Sequence, residues 1–178
     1  MVPKRPHIAL IGLPTSGKST LGQFLAQALD RPWIDSDRCF EAETGEKIAR
    51  LFTCGEEPRF RQWEQLWLKR LDQYPPSVIS TGGGLPCQPG ALELLKTCAF
   101  TIYLQVDLEV LRDRLLAAQH PLLLSRSPAE FAALVQTRLP IYAQADYSLL
   151  AEGRPEDLLQ ILLTVIQPAT VDSEKKEI

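Results

Sequence analysis

The chain has 178 residues, 45% of them hydrophobic, which is enough to bury one substantial core and too few for two comfortable domains. Its formal net charge of −3 argues against nucleic acid as the main partner, because binding a phosphate backbone needs a concentrated basic surface. The four cysteines, Cys39, Cys54, Cys87 and Cys98, form no C-x-x-C pair, and only two histidines accompany them. That pattern argues against a zinc site and for buried thiols in a reducing compartment.

No apolar stretch approaches the roughly 18 residues that a membrane span needs. Residues 1–6 are too short for a signal or transit peptide before the first predicted strand, and a soluble cytoplasmic protein is expected. That strand is the apolar run Ile8-Ala9-Leu10-Ile11. It leads directly into Gly12-Leu13-Pro14-Thr15-Ser16-Gly17-Lys18-Ser19-Thr20, the G-x-x-x-x-G-K-[ST] spacing of a phosphate-binding loop. The glycines let backbone N–H groups curl around an anion, and the helix that starts near Lys18 adds the positive end of its dipole. Pro14, Thr15, Ser16, Gly17 and Thr20 complete the cradle, Lys18 reaches the β- and γ-phosphates, and Ser19 offers a hydroxyl to a magnesium ion. The competing reading, a glycine-rich turn with a chance lysine, must reproduce all four fixed positions. It must also reproduce a buried strand in front and the helical pattern Leu21, Phe24, Leu25, Ala28, Leu29 behind.

Pro32-Trp33-Ile34 reads as a second strand that delivers Asp35-Ser36-Asp37 at its carboxyl end, where parallel α/β sheets carry their chemistry. A D-x-D there suits a metal or a hydroxyl, and it equally suits an N-cap for the helix through Phe40 and Glu43. A short helix follows the turn at Thr44-Gly45, and a longer one is predicted from about Pro58 to Tyr74. Phe60, Trp63, Trp67 and Leu71 form its core stripe. Arg61 and Glu64 lie three apart on another face, either as a pair that orients the guanidinium or as an ordinary surface ion pair. Val78-Ile79-Ser80 is a third strand running into Thr81-Gly82-Gly83-Gly84, where three glycines suit either a flexible loop or close approach of the backbone to a ligand, and the place at a strand's carboxyl end favours a substrate or phosphate contact. No Asp follows this strand, which leaves Asp35 to support a metal.

Ala91–Leu95 is a short helix, Phe100–Leu104 a fourth strand, and Asp107–Ala118 a helix carrying Arg112 and Arg114. The aperiodic Gln119–Leu124 reads as a mobile lid spanning about residues 117–127. A helix from Pro128 passes Arg138 and is expected to kink or end at Pro140. Asp146–Leu150 is a weak fifth strand and Pro155–Ile166 a closing helix, with a disordered tail over 167–178. Alternating strands and helices give a three-layer α/β fold with a parallel sheet, whose strand order does not follow from the pattern.

Taken together, these residues resemble the shikimate kinase family of small P-loop kinases. The resemblance is carried, in family order from about residue 7 to 166, by several motifs. They are Gly12–Thr20 with Gly22, Asp35-x-Asp37, Thr44-Gly45 with Ile48 and Phe52, Glu57-x-x-Phe60-Arg61-x-x-Glu64, Gly82-Gly83-Gly84, Pro121-Leu122-Leu123 and Arg138-x-Pro140-x-Tyr142. It implies a five-stranded parallel sheet in a single P-loop kinase domain over residues 1–166. It also implies transfer of the ATP γ-phosphate to the 3-hydroxyl of shikimate, with Mg²⁺ and a monomeric enzyme. By similarity Asp37 binds the substrate hydroxyls and takes or orients the reacting proton. Arg61 and Arg138 clamp the carboxylate, and Gly83 offers a backbone N–H. Lys18 stabilises the transferring phosphoryl group, while Ser19 and Asp35 hold the metal. Either Arg112 or Arg114 packs against adenine, with Arg114 preferred.

The chain also departs from the family. His120 stands where the family's lid carries an arginine, so a side chain with an ordinary pKa of about 6.5 occupies the place of a permanent cation. Thr15 replaces a smaller residue, and Gly55 sits one place early. Two alternatives therefore remain open, namely a relative acting on another hydroxy acid and a nucleotide-binding relative with weakened catalysis.

Overall fold

The computed structural model describes residues 5–118 and 127–171, with side chains described to residue 166. Five strands form one parallel sheet in the order β2-β3-β1-β4-β5. They are β1 (His7–Ile11), β2 (Trp33–Asp35), β3 (Val78–Ser80), β4 (Ala99–Gln105) and β5 (Tyr147–Leu150). The central strand β1 is buried throughout, with Ile8 level with Val78 on one side and Phe100 on the other. Burial on both faces is what its unbroken apolar sequence requires.

From β1 the chain moves two places to β2, and from β3 it moves two places the other way to β4. Right-handed crossovers then put the connecting helices on opposite faces. Helix α1 (Lys18–Ala28) lies on one face and packs against the closing helix α8 (Pro155–Val171). After β2 come α2 (Ser36–Thr44), α3 (Ile48–Thr53) and α4 (Glu57–Leu68), and α4 packs on α5 (Ala91–Cys98), which covers β4. Helices α6 (Leu108–Ala117) and α7 (Pro128–Tyr142) follow. α7 opens on a reciprocal capping box between Ser127 and Glu130. Gly22 in the middle of α1 has a packing reason, since a Cβ there would stand 2.5 Å from Ser80 Oγ and 2.8 Å from Trp33 Nε1. The glycine lets α1 sit low over β2 and β3, which fixes the loop at its N-terminus.

The aromatic stripe of α4 is core. Phe60, Trp67 and Leu71 are buried, and Trp63 stacks on Trp67 with ring centres 5.9 Å apart. The helix itself stops at Leu68 and a 3₁₀ turn, Leu71–Gln73, replaces its expected last turns, which keeps Leu71 in the core. α7 does not end at Pro140. A proline so near the C-terminus removes one hydrogen bond, and the last turn is held by the buried Tyr142, whose hydroxyl donates to Gly83 O. Residues 167–171, expected in the tail, instead continue α8. Pro168 costs it one backbone donor without ending it. Residues 172–178 lie outside the described residues, as do 119–126, and with them most of the expected lid, His120 included. All four cysteines are free, but Cys54 is exposed and the other three are only half-buried. Among the described residues no helix is long and apolar enough to cross a membrane.

Candidate active site

The loop after β1 is built to receive an anion. Gly12 has φ 142° and Gly17 φ 94°, and a Cβ on Gly12 would meet Leu104 O at 2.9 Å, so glycine is required there for close packing. Thr15 also takes a positive φ, 61°. α1 starts with no side-chain cap and no acidic residue in its first turn, which leaves its leading N–H groups and its dipole facing the loop. Lys18, only 7% exposed, arches back over the loop and donates to Gly12 O at 3.1 Å, Leu13 O at 2.7 Å and Ser16 Oγ at 3.4 Å. Burial brings its pKa down to about 8, against the pull of Asp37 and Asp35.

Asp35 serves both readings of the D-x-D, one with each oxygen. Its Oδ1 caps α2 by accepting from the N–H groups of Asp37 and Arg38, and its Oδ2 accepts from Ser19 Oγ at 2.8 Å. Among the described residues no group of three or more His, Cys, Asp or Glu side chains suits a metal. The site therefore offers one hydroxyl and one carboxylate, the sparse hard-oxygen set that a magnesium ion completes with water and phosphate. Asp37 stands on the first turn of α2, where Ser36 Oγ donates to its Oδ1 at 3.3 Å and in turn accepts from Gly82 N at 2.7 Å. Burial, then the neighbouring Asp35, push the Asp37 carboxyl above its ordinary range, while Lys18 and Arg61 oppose the shift.

The three consecutive glycines after β3 each make room for a different neighbour. A Cβ on Gly82 would meet Asp37 Oδ1 at 2.4 Å, and one on Gly83 would meet Pro14 Cδ at 2.7 Å. One on Gly84 would meet both terminal nitrogens of Arg61 at 2.6 Å. The Arg61 guanidinium thus lies flat on the backbone of Gly84. Its Nε and Nη2 donate to Glu57 Oε1 at 3.0 and 2.8 Å, and its Nη1 donates to Glu64 Oε2 at 2.7 Å. Of five N–H groups these bonds use three, so one remains on each terminal nitrogen, the fork that a planar carboxylate takes. The Arg61–Glu64 pair is no surface ion pair, because the Glu64 side chain is 0% exposed and that of Arg61 21%. Burial outweighs Arg61 and pushes Glu64 up to about 7. Arg138, 9% exposed, comes from α7, and among the described residues it has no carboxylate partner. A buried cation without an ion partner is an anion site in waiting.

Pro14, Thr15, Lys18, Ser19, Asp35, Asp37, Arg61, Gly83 and Arg138 all line one cleft of about 410 Å³ at the carboxyl ends of β1, β2 and β3. Arg114 lies on the other side of the phosphate loop, beside Ser16, Gly17 and Thr20, and its Nη1 reaches Thr15 O at 3.4 Å. Arg112 faces away, into a groove between α6 and α7. Sequence reasoning gave no role to Glu57, although its i−4 position relative to Arg61 was a usable signal. It also gave none to Gln88, which carries no motif. The separate tasks of Gly82 and Gly84 depend on tertiary approach and had no local signature.

The shikimate kinase family model matches residues 14–167 of this chain. A shikimate kinase of Paramagnetospirillum magneticum is 39% identical over 141 residues, covering 78% of this chain and 72% of the other. One from Aquifex aeolicus is 34% identical over 161 residues, covering 90% and 96%. Among solved structures, a shikimate kinase from Acinetobacter baumannii in complex with shikimate superposes with TM-score 0.85 at 32% identity, covering 94% of this chain and 96% of that one.

Proposed function

Since this chain belongs to the shikimate kinase family, we infer that it transfers the γ-phosphate of ATP to the 3-hydroxyl of shikimate. The observation that carries the reading is the meeting, in one cleft, of a phosphate loop, the half-buried Asp37 carboxylate and two guanidiniums, the half-buried Arg61 and the buried Arg138. Arg61 offers its free fork to the substrate carboxylate and Arg138 supplies the second cation, which together fix the ring and its hydroxyls. Asp37 then receives the reacting hydroxyl and accepts or orients its proton, and its raised pKa suits that exchange. The Gly83 N–H adds a backbone contact, with the carbonyl of the same residue tied to Tyr142.

On the nucleotide side, residues Pro14 to Thr20 cradle the phosphates and Arg114 flanks the loop toward the adenine side. Lys18 exchanges its bonds to Gly12, Leu13 and Ser16 for phosphate oxygens, where its charge offsets the charge that develops in transfer. Ser19 and Asp35 would hold Mg²⁺, which would supply neutralisation of the phosphate charge. His120 is assigned to the transferring phosphate by family resemblance alone. One chain supplies a complete site, and the reading is of a monomer acting on small-molecule substrates. Four free cysteines suit the cytoplasm. The deciding measurement is ADP release from Mg-ATP with and without shikimate. Release that depends on shikimate is expected, and a rate no higher than the background ATPase overturns the reading.

A further inference from the structure

We propose that Gln88 is a positioning residue of the acid clamp, holding Glu64 so that Arg61 keeps one N–H on each terminal nitrogen for the substrate carboxylate. The proposal rests on shikimate phosphorylation as the reaction and adds a residue to which no motif points.

Gln88 Nε2 donates to Glu64 Oε2 at 2.7 Å, and the same oxygen accepts from Arg61 Nη1 at 2.7 Å. The backbone that carries Gln88 is fixed on both sides. Its N–H closes the 3₁₀ turn Leu85–Cys87 onto Leu85 O, its carbonyl accepts from Ala91 N at the start of α5, and Pro89 stands between. The amide therefore arrives from a separate, rigid element rather than from α4, which carries Arg61, Glu57 and Glu64.

A fully buried carboxylate seeks every donor within reach. Among the described residues Glu64 Oε1 already has none, so the bond from Gln88 is the second of only two that Glu64 receives. Without it, the carboxylate regains a donor most directly by turning both oxygens toward Arg61. That geometry takes the spare N–H groups from the face that meets the substrate. An amide suits the task because it donates without adding a cation that would compete for the substrate's own carboxylate. The Gln88 Oε1 atom, buried and without a donor among the described residues, marks the cost of presenting Nε2 in this way.

The test is steady-state kinetics of Gln88→Met, which keeps the length and removes the donor. The KM for shikimate is expected to rise about tenfold, the scale of one hydrogen bond to a charged group, with kcat and the KM for ATP within about twofold. In an Arg61→Lys background the same change should alter the shikimate KM by less than about twofold, because the fork it protects is gone. A full-sized effect in that background, parallel rises in both KM values, or no change overturns the proposal. Should Gln88→Met fail to fold, Gln88→Asn decides, since its amide is one methylene short of Glu64. Loss of shikimate affinity supports the assignment, and wild-type affinity overturns it. A wild-type enzyme with no shikimate-dependent turnover overturns the functional reading itself, which is a separate result.

Discussion

Arg61 is held less by its charge than by how its five N–H groups are shared. Two carboxylates on its own helix take three of them, and the flat stack on Gly84 orients the remaining two. Gly84→Ala should therefore displace the guanidinium and raise the shikimate KM at least about tenfold, with the KM for ATP nearly unchanged. Parallel titrations of both substrates check this, and an unchanged shikimate KM would mean that Arg61 shifts at no cost. Lys18→Met should reduce kcat by about 10²–10³-fold in a protein with an unaltered circular-dichroism spectrum, because the side chain serves developing charge and not the core. The triple glycine was legible in the sequence as a backbone that approaches something closely. What each glycine approaches was not, since Asp37, Pro14 and Arg61 reach the loop from three other segments.

At the scale of elements, His7 ties β1 to the connection between α4 and β3. Its Nδ1 accepts from Ser77 N at 3.2 Å, so its Nε2 carries the proton and donates to Leu71 O at 2.9 Å. Burial lowers its pKa below 6.5 in the folded state. As pH falls through 6.5 the unfolded chain binds a proton that the folded chain resists, so this contribution to stability is lost. Glu64 and Asp37, with raised pKa values, act in the opposite sense. The informative measurement is therefore the difference between wild type and His7→Gln in urea midpoint at pH 7.5 and 5.5. The wild type should lose more on acidification, and equal losses would remove His7 from the account. The connection between α6 and α7 carries a second expectation. At pH 7 a histidine with an ordinary pKa is roughly one-quarter charged, so His120→Arg should raise kcat by up to about fourfold. The wild type alone should gain activity as pH drops toward 6.5, and identical pH–rate profiles for wild type, His120→Arg and His120→Gln would place position 120 away from the phosphates. Element types were readable from periodicity and caps. The endings of α4 at Leu68 and α7 at Tyr142 were not, nor was the run of α8 past Pro168, because contacts between distant segments, such as the Tyr142 bond to Gly83 that holds α7 past Pro140, decide them.

For the molecule as a whole, alternating elements made the layers legible, while the strand order needed the crossovers that only the folded chain displays. Mg-ATP or shikimate at a hundredfold excess over its Kd should add about 2.7 kcal/mol, or about 5–10 °C in Tm, to a domain of this size. Differential scanning fluorimetry reads this directly, and no shift with either ligand would contradict a preformed cleft. Lys18 gives that measurement a further meaning. A lysine whose pKa falls to about 8 is an ammonium that the fold accommodates at a loss, and between pH 8 and 10.5 stability should climb as the folded protein sheds that proton first. The phosphate loop is thus a place where selection for turnover and selection for robustness disagree. Variants chosen only for heat resistance should drift toward a neutral residue at position 18, becoming hardier proteins that no longer warm to nucleotide.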